Sequence, residues 1–183
     1  MLPNGRSERT REERVGKLVA SITGIYLVLL FLIPIFLVSN SVPELSGRAN
    51  RIDYATVDGW GSWGNQNNGL NDDIGQNQEE FGYFSWSELN PVAAFVYSFG
   101  DLNCHQKSER SWEINGNQLA ICVRDVGLFL GLFIGALFWR SKGLNRWTVR
   151  DSFLSVFKDE QIHSLYIKDK RMFAMILFLS IGA

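Results

Sequence analysis

Cys104 to Gly135 reads CHQKSERSWEINGNQLAICVRDVGLFLGLFIG and joins a polar, ligand-rich segment directly to one apolar enough for a membrane. Both cysteines of the chain lie in this window, a histidine stands beside the first, and an Arg-Asp pair follows the second. The second half decides the fold class. From Val126 to Trp139 the chain carries no charge, and Arg140, Lys142, Arg146 and Arg150 follow at once. A bilayer span needs about 20 residues, so a transmembrane helix is expected from near Gln118 to Trp139, with Arg124 and Asp125 in its first turns.

On that helix, at about 100° per residue, Cys122, Asp125 and Phe129 project to one side, while Gly127, Gly131 and Gly135 project to another with Arg124 in line. Glycines at this spacing let a second helix come close, so the Gly127/Gly131/Gly135 face reads as a packing surface for a helix partner. Charges at the end of a span are costly unless paired, hydrated or snorkelling. Arg124 is therefore a snorkelling residue or a holder of an anionic group through its planar fork of donors. Asp125 is a candidate metal ligand or general base.

The cysteines admit three readings. A Cys104–Cys122 disulfide on an oxidising face would close a loop of moderate length, worth about 3 kcal/mol on the chain-entropy model. Cys104, His105, Cys122 and Asp125 could instead hold zinc or another transition metal, because thiolate, imidazole and carboxylate are its usual ligands. A reactive thiol beside an imidazole would serve nucleophilic or redox chemistry. The adjacent Cys-His pair matches no zinc ribbon, and residue types alone leave all three open. The residues that could carry chemistry are Cys104, His105, Arg110, Cys122, Arg124 and Asp125, with Arg110 and Arg124 binding an anionic group.

Working outward toward the N-terminus, Asn90-Pro91 is a helix start, Asn as cap and Pro at the first helical position. The helix from Pro91 to about Gly100 is too short to span and would be interfacial or re-entrant, delivering Cys104 and His105 to the membrane surface; the alternative is a helix running on through Cys104. Residues 39–90 are polar and turn-rich, with GWGSWGNQNNGLNDDIGQNQEE at Gly59 to Glu80. They read as a long extracytoplasmic loop with Trp60 and Trp63 as interfacial anchors. The acidic cluster of Asp72, Asp73, Glu79 and Glu80 lacks the EF-hand spacing around Gly75 and reads as solvated loop. Leu18 to Val38 is free of charge, longer than the apolar core of about 7–15 residues in a cleaved signal peptide, so residues 18–38 are expected as a retained membrane helix after a polar segment, 1–17.

Toward the C-terminus, Thr148-x-x-Asp151 resembles a capping box, and Phe153, Phe157, Ile162 and Leu165 form a roughly helical apolar stripe. Residues 140–171 are thus expected as a cytoplasmic segment with an amphipathic helix lying along the membrane, His163 on its surface. After Lys168, Lys170 and Arg171, the apolar MFAMILFLSIGA of residues 172–183 is too short to cross and is expected to be the start of a truncated third span.

Basic residues set the orientation. The N-terminal flank and the segment after Trp139 are rich in Arg and Lys, whereas Ser39 to Ile121 holds only Arg48, Arg51, Lys107 and Arg110. The positive-inside rule puts the N-terminus in the cytoplasm and Cys104, His105, Cys122 and Asp125 at the extracytoplasmic surface. The net charge of −1 over 183 residues suggests no nucleic-acid partner, and the lipid bilayer is the expected one. The expected fold is an all-α integral membrane protein of the cell membrane, multi-pass, with at least two transmembrane helices.

Phe95 to Gly131, about a fifth of the chain, resembles the predicted membrane proteins grouped as domain of unknown function 2085. Tyr97, Cys104, His105, Gln106, Arg110, Ser111, Trp112, Gly116, Cys122, Arg124, Asp125, Gly127, Phe129 and Gly131 carry the resemblance. Some members are similar but place Cys where Asp125 stands, which implies a metal-ligand role for that position. The resemblance also implies a later segment, rich in Asp, Gln and Arg, that this sequence lacks. It implies no reaction. The functional expectation is an extracytoplasmic Cys/His/Asp site for metal binding or thiol chemistry. The competing expectation is a non-enzymatic membrane scaffold or partner subunit, with a structural Cys104–Cys122 disulfide.

Overall fold

The computed structural model describes residues 9–48, 50–58, 64–66, 78–145, 148–158, 160, 163 and 170–181. Trp60, Trp63, Asp72, Asp73, Gly75, Arg146, Ile162, Leu165 and Lys168, to which the sequence assigned roles, lie outside the described residues. The helices are α1 (Thr10–Phe36), α2 (Gln78–Phe81), α3 (Pro91–Asn103), α4 (Val123–Lys142), α5 (Val149–Leu154) and α6 (Arg171–Ile181). A two-stranded antiparallel hairpin pairs β1 (Glu113–Ile114) with β2 (Asn117–Gln118). The protein is therefore mostly helical rather than all-α. Among the described residues α1 is the one helix long and apolar enough to cross a membrane. α4 carries Arg124 and Asp125 in its first turn and Arg140 and Lys142 in its last, which leaves a charge-free middle of roughly 20 Å at 1.5 Å per residue.

The chain divides into two compact units, residues 24–130 and residues 1–23 with 131–183, and α1 and α4 contribute to both. In the unit of residues 24–130, α1 and α3 pack with the segment leading into α4 around Tyr26, Leu30, Val96, Tyr97, Cys104, Ile121, Cys122 and Val126. The stretch expected as a long extracytoplasmic loop supplies part of this core. Val42, Leu45, Tyr54 and Phe84 are all buried. Irregular backbone can be buried only if its polar groups find partners, and here side chains provide them. Asp101 of α3 accepts the N–H groups of Asp53 (3.0 Å) and Tyr54 (2.9 Å) and the indole N–H of Trp86 (2.9 Å). Burial pushes its carboxyl up against the pull of those donors. The Tyr54 hydroxyl accepts from the Ser46 N–H (2.8 Å) and donates to Gln78 (2.9 Å).

Two amides close this unit. The Asn117 side chain, fully buried, accepts from the Val42 N–H (2.9 Å) and the Ser41 hydroxyl (3.2 Å). It donates to the carbonyls of Pro34 and Val38, both at 3.1 Å, so it binds the end of α1 to the chain that follows. Gln118 accepts from the Leu45 N–H (2.7 Å) and donates to the Gln106 carbonyl (2.7 Å). The hairpin turns at Asn115 and Gly116, both at positive φ (57° and 69°), the backbone of a type I′ turn.

In the other unit, Gly16 of α1 lies against the backbone of Arg140, so closely that an added Cβ would stand 2.7 Å from the Arg140 nitrogen. Arg9 donates to the carbonyls of Trp139 (3.3 Å), Ser141 (2.8 Å) and Gly143 (3.1 Å), satisfying the orphan acceptors at the end of α4. The Thr148 hydroxyl accepts the Asp151 N–H at 3.1 Å and caps α5, as the Thr-x-x-Asp pattern predicts. Asp151 also binds Arg171 of α6 at 3.2 Å. His163 is exposed.

Candidate metal centre

α3 ends at Asn103, and Cys104 caps it in an extended conformation, φ −123° and ψ 154°. Its N–H still donates to the Gly100 carbonyl at 2.8 Å. Cys122 reaches the same place from the other direction. Leu119 to Cys122 lead into α4 through bends at Ala120 and Ile121, held by the Leu119 N–H on the Trp112 carbonyl (2.9 Å) and by the Gln106 amide donating to the Ala120 carbonyl (2.9 Å). These bonds are why α4 starts at Val123 and not near Gln118. Asp125 follows in its first turn, on the same side as Cys122.

The Cys104 and Cys122 sulfurs and an Asp125 carboxylate oxygen all lie within 4.8 Å of one another. Cys104 Sγ accepts the N–H of Cys122 at 3.2 Å and that of Gln106 at 3.4 Å. Cys122 Sγ donates to Asp125 Oδ2 at 3.2 Å. Both thiols are free and buried, 2 % and 5 % exposed. Burial, and then the Asp125 carboxylate beside it, push the Cys104 thiol up to about 12, against the two backbone donors.

Two thiolates on one tetrahedral zinc ion, each about 2.3 Å from it, stand about 3.8 Å apart. The three ligand atoms therefore close on an ion with movements of about 1 Å or less. Backbone N–H groups aimed at a sulfur stabilise negative charge on it, and such outer-shell donors orient and tune metal ligands.

Of the other residues singled out in the sequence, His105 and Arg110 lie outside this group and Arg124 touches its edge. His105 is exposed, because neighbours on extended backbone point to opposite sides. Arg110 is on the surface, 66 % exposed and 3.9 Å from Glu109. Arg124 is 70 % exposed and meets Asp125 at 3.7 Å. Gln106 and Gly100 gain roles the sequence did not assign. Gln106 joins the Cys104 turn to the Ala120 backbone, while Gly100 admits that backbone against α3.

Phe129, predicted on the face of Cys122 and Asp125, packs against Tyr26 at 4.9 Å and Phe99 at 6.0 Å, so this face looks into the core. On the glycine face, nothing among the described residues stands within 4 Å of a Cβ placed at Gly127, Gly131 or Gly135.

No curated protein and no solved structure matches the chain. Residues 104–179, a segment that begins at the first of the three candidate ligands, match the family model described as a predicted membrane protein, DUF2085, and this is the family to which the chain is similar.

Proposed function

We propose that the protein is a multi-pass membrane protein that binds one transition-metal ion, zinc or an ion of similar softness, through Cys104, Cys122 and Asp125 on its extracytoplasmic side. The observation that carries the reading is the convergence of two buried sulfurs and a carboxylate within 4.8 Å, with two backbone N–H groups already directed at one sulfur. His105, exposed and outside this group, is a ligand only if its segment turns inward.

α1 is the first span, and α4 is a second, short one whose Arg124 and Arg140 snorkel to opposite surfaces. The pairing of α1 with α4 supports this. Arg9 meets the end of α4, and Asn117, just ahead of α4, meets the end of α1. Both connections fit the N-terminus and residues 140–171 sharing the cytoplasmic side. The Gly127/Gly131/Gly135 face is a surface for a partner helix.

Elemental analysis of the purified full chain tests the metal reading. About one ion per chain is expected in the wild type and at least tenfold less in Cys122→Ser, while absence of bound metal from both after zinc titration removes the reading. The closeness of the two sulfurs favours one alternative, a structural Cys104–Cys122 disulfide in a non-enzymatic scaffold. Mass spectrometry under non-reducing conditions would then find the bridged peptide in place of two free thiols.

A further inference from the structure

Tyr26 lies in the apolar run of α1, 78 positions before Cys104 in the chain, and nothing in the sequence connects it to the cysteines. Its ring is clamped between the elements that deliver the ligands. It stands edge-on to Phe99 of α3 at 4.9 Å and tilted against Phe129 of α4 at 4.9 Å. Phe129 is one helical turn from Asp125, and Phe99 precedes Cys104 by little more than one turn. The same core cluster contains Tyr26, Cys104, Cys122 and Val126.

Tyr26 is 6 % exposed, and its hydroxyl is buried with no hydrogen-bond partner among the described residues. Buried tyrosine hydroxyls ordinarily have one. Tyr97, Cys104 and Cys122 share its core cluster. The Tyr97 hydroxyl is already committed to the Gln118 carbonyl at 2.8 Å. Phenylalanine would fill the same space between Phe99 and Phe129 without burying an unmatched donor. A phenol kept there, in the cluster that holds both cysteines, marks the place of a hydrogen-bond acceptor that the described residues do not provide.

We propose that Tyr26 donates a hydrogen bond to the non-protein ligand, a water or hydroxide, that completes the metal centre of Cys104, Cys122 and Asp125. The proposal rests on the metal reading above and adds a chemical class to it. Three protein ligands with a fourth position left to water is the pattern of reactive zinc sites, whereas structural sites close with four protein ligands. The centre is thus a water-activating one rather than a structural clasp, with α1 contributing the group that orients the water.

Cobalt(II) titration of the detergent-solubilised full chain tests this, with wild type, Tyr26→Phe and Cys122→Ser compared. Wild type should take up one Co(II) with thiolate-to-cobalt charge-transfer absorption, and Cys122→Ser should lose most of that absorption. Tyr26→Phe should keep the stoichiometry and the charge-transfer band at saturation, bind Co(II) about tenfold more weakly, and show shifted ligand-field bands because the fourth ligand has lost its donor. If Tyr26→Phe gains thermal stability while affinity and ligand-field bands match wild type, the hydroxyl is merely an unpaired group in a dry core, and this proposal falls while the metal reading stands. If wild type takes up no Co(II), both fall together.

Discussion

Gly100 sets how near the two cysteines can come. A Cβ placed there would fall on the Ala120 carbonyl oxygen and stand 2.8 Å from its carbon. Backbone on both sides leaves no flexible atom to yield. Gly100→Ala should therefore displace α3 from residues 119–122, part the sulfurs, and destabilise the protein by about 1–3 kcal/mol, the usual range for overpacking. Thermal unfolding and metal analysis of one preparation check this. A variant that melts and loads like wild type would show that α3 does not control the site. At this scale the sequence exposed Cys104, Cys122 and Asp125 because reactive residue types crowd one window. It also suggested His105, since adjacency in sequence looks like adjacency in space until the backbone is known to be extended. Tyr26 was out of reach, because a lone tyrosine in an apolar run gives no sign of what it faces.

Among the elements, the junction of α5 with α6 responds to acid. Burial works against ionisation of Asp151, but the Thr148 hydroxyl, Arg150 and Arg171 outweigh it and hold the carboxyl below the usual aspartate range. A carboxyl with a depressed folded-state pKa adds stability that is present above its unfolded value, about 3.9, and is lost as pH falls through the folded one. Hydrogen exchange in the first turn of α6 should accelerate as pH drops below about 4, once corrected for intrinsic rates, and Asp151→Asn should show the faster exchange already at neutral pH. Equal protection in both proteins at pH 7 would mean that the ion pair holds nothing. The caps of α3 and α5 were legible because Asn-Pro and Thr-x-x-Asp act through local geometry. The hairpin was not foreseen by the all-α expectation, although Asn115-Gly116, whose positive φ values suit a type I′ turn, carries its signal. Its strands are too short to produce any alternation, so the apolar pattern of α4 was extended back to Gln118 across non-helical residues that Gln106 holds.

At the scale of the whole molecule, the proposed orientation makes an accessibility prediction. The native thiols are buried, while His105 and Ser141 are exposed. In intact cells a membrane-impermeant maleimide should label His105→Cys and leave Ser141→Cys unlabelled until the membrane is opened. The reverse pattern would invert the topology. Membrane character and α1 as a candidate span were readable because a long charge-free run is long enough to cross a bilayer. The packed body built from residues 41–48, 50–58 and 78–89 was not, since buried irregular backbone carries no period. Its order comes from amide and carboxylate side chains bonding backbone far away in sequence.

One of those amides links the structure to the order of its synthesis. Asn117 satisfies the Pro34 carbonyl from 83 positions downstream. At about 5–20 residues per second, roughly 4–17 s separate the appearance of that helix end from the arrival of its partner. During this interval water or lipid headgroups must occupy the exposed carbonyls. Cys104 emerges before Asn117 and Cys122 after it, so the same residue that finishes the first helix lies between the two thiols in time, and a nascent chain paused before it would hold a lone, uncovered cysteine.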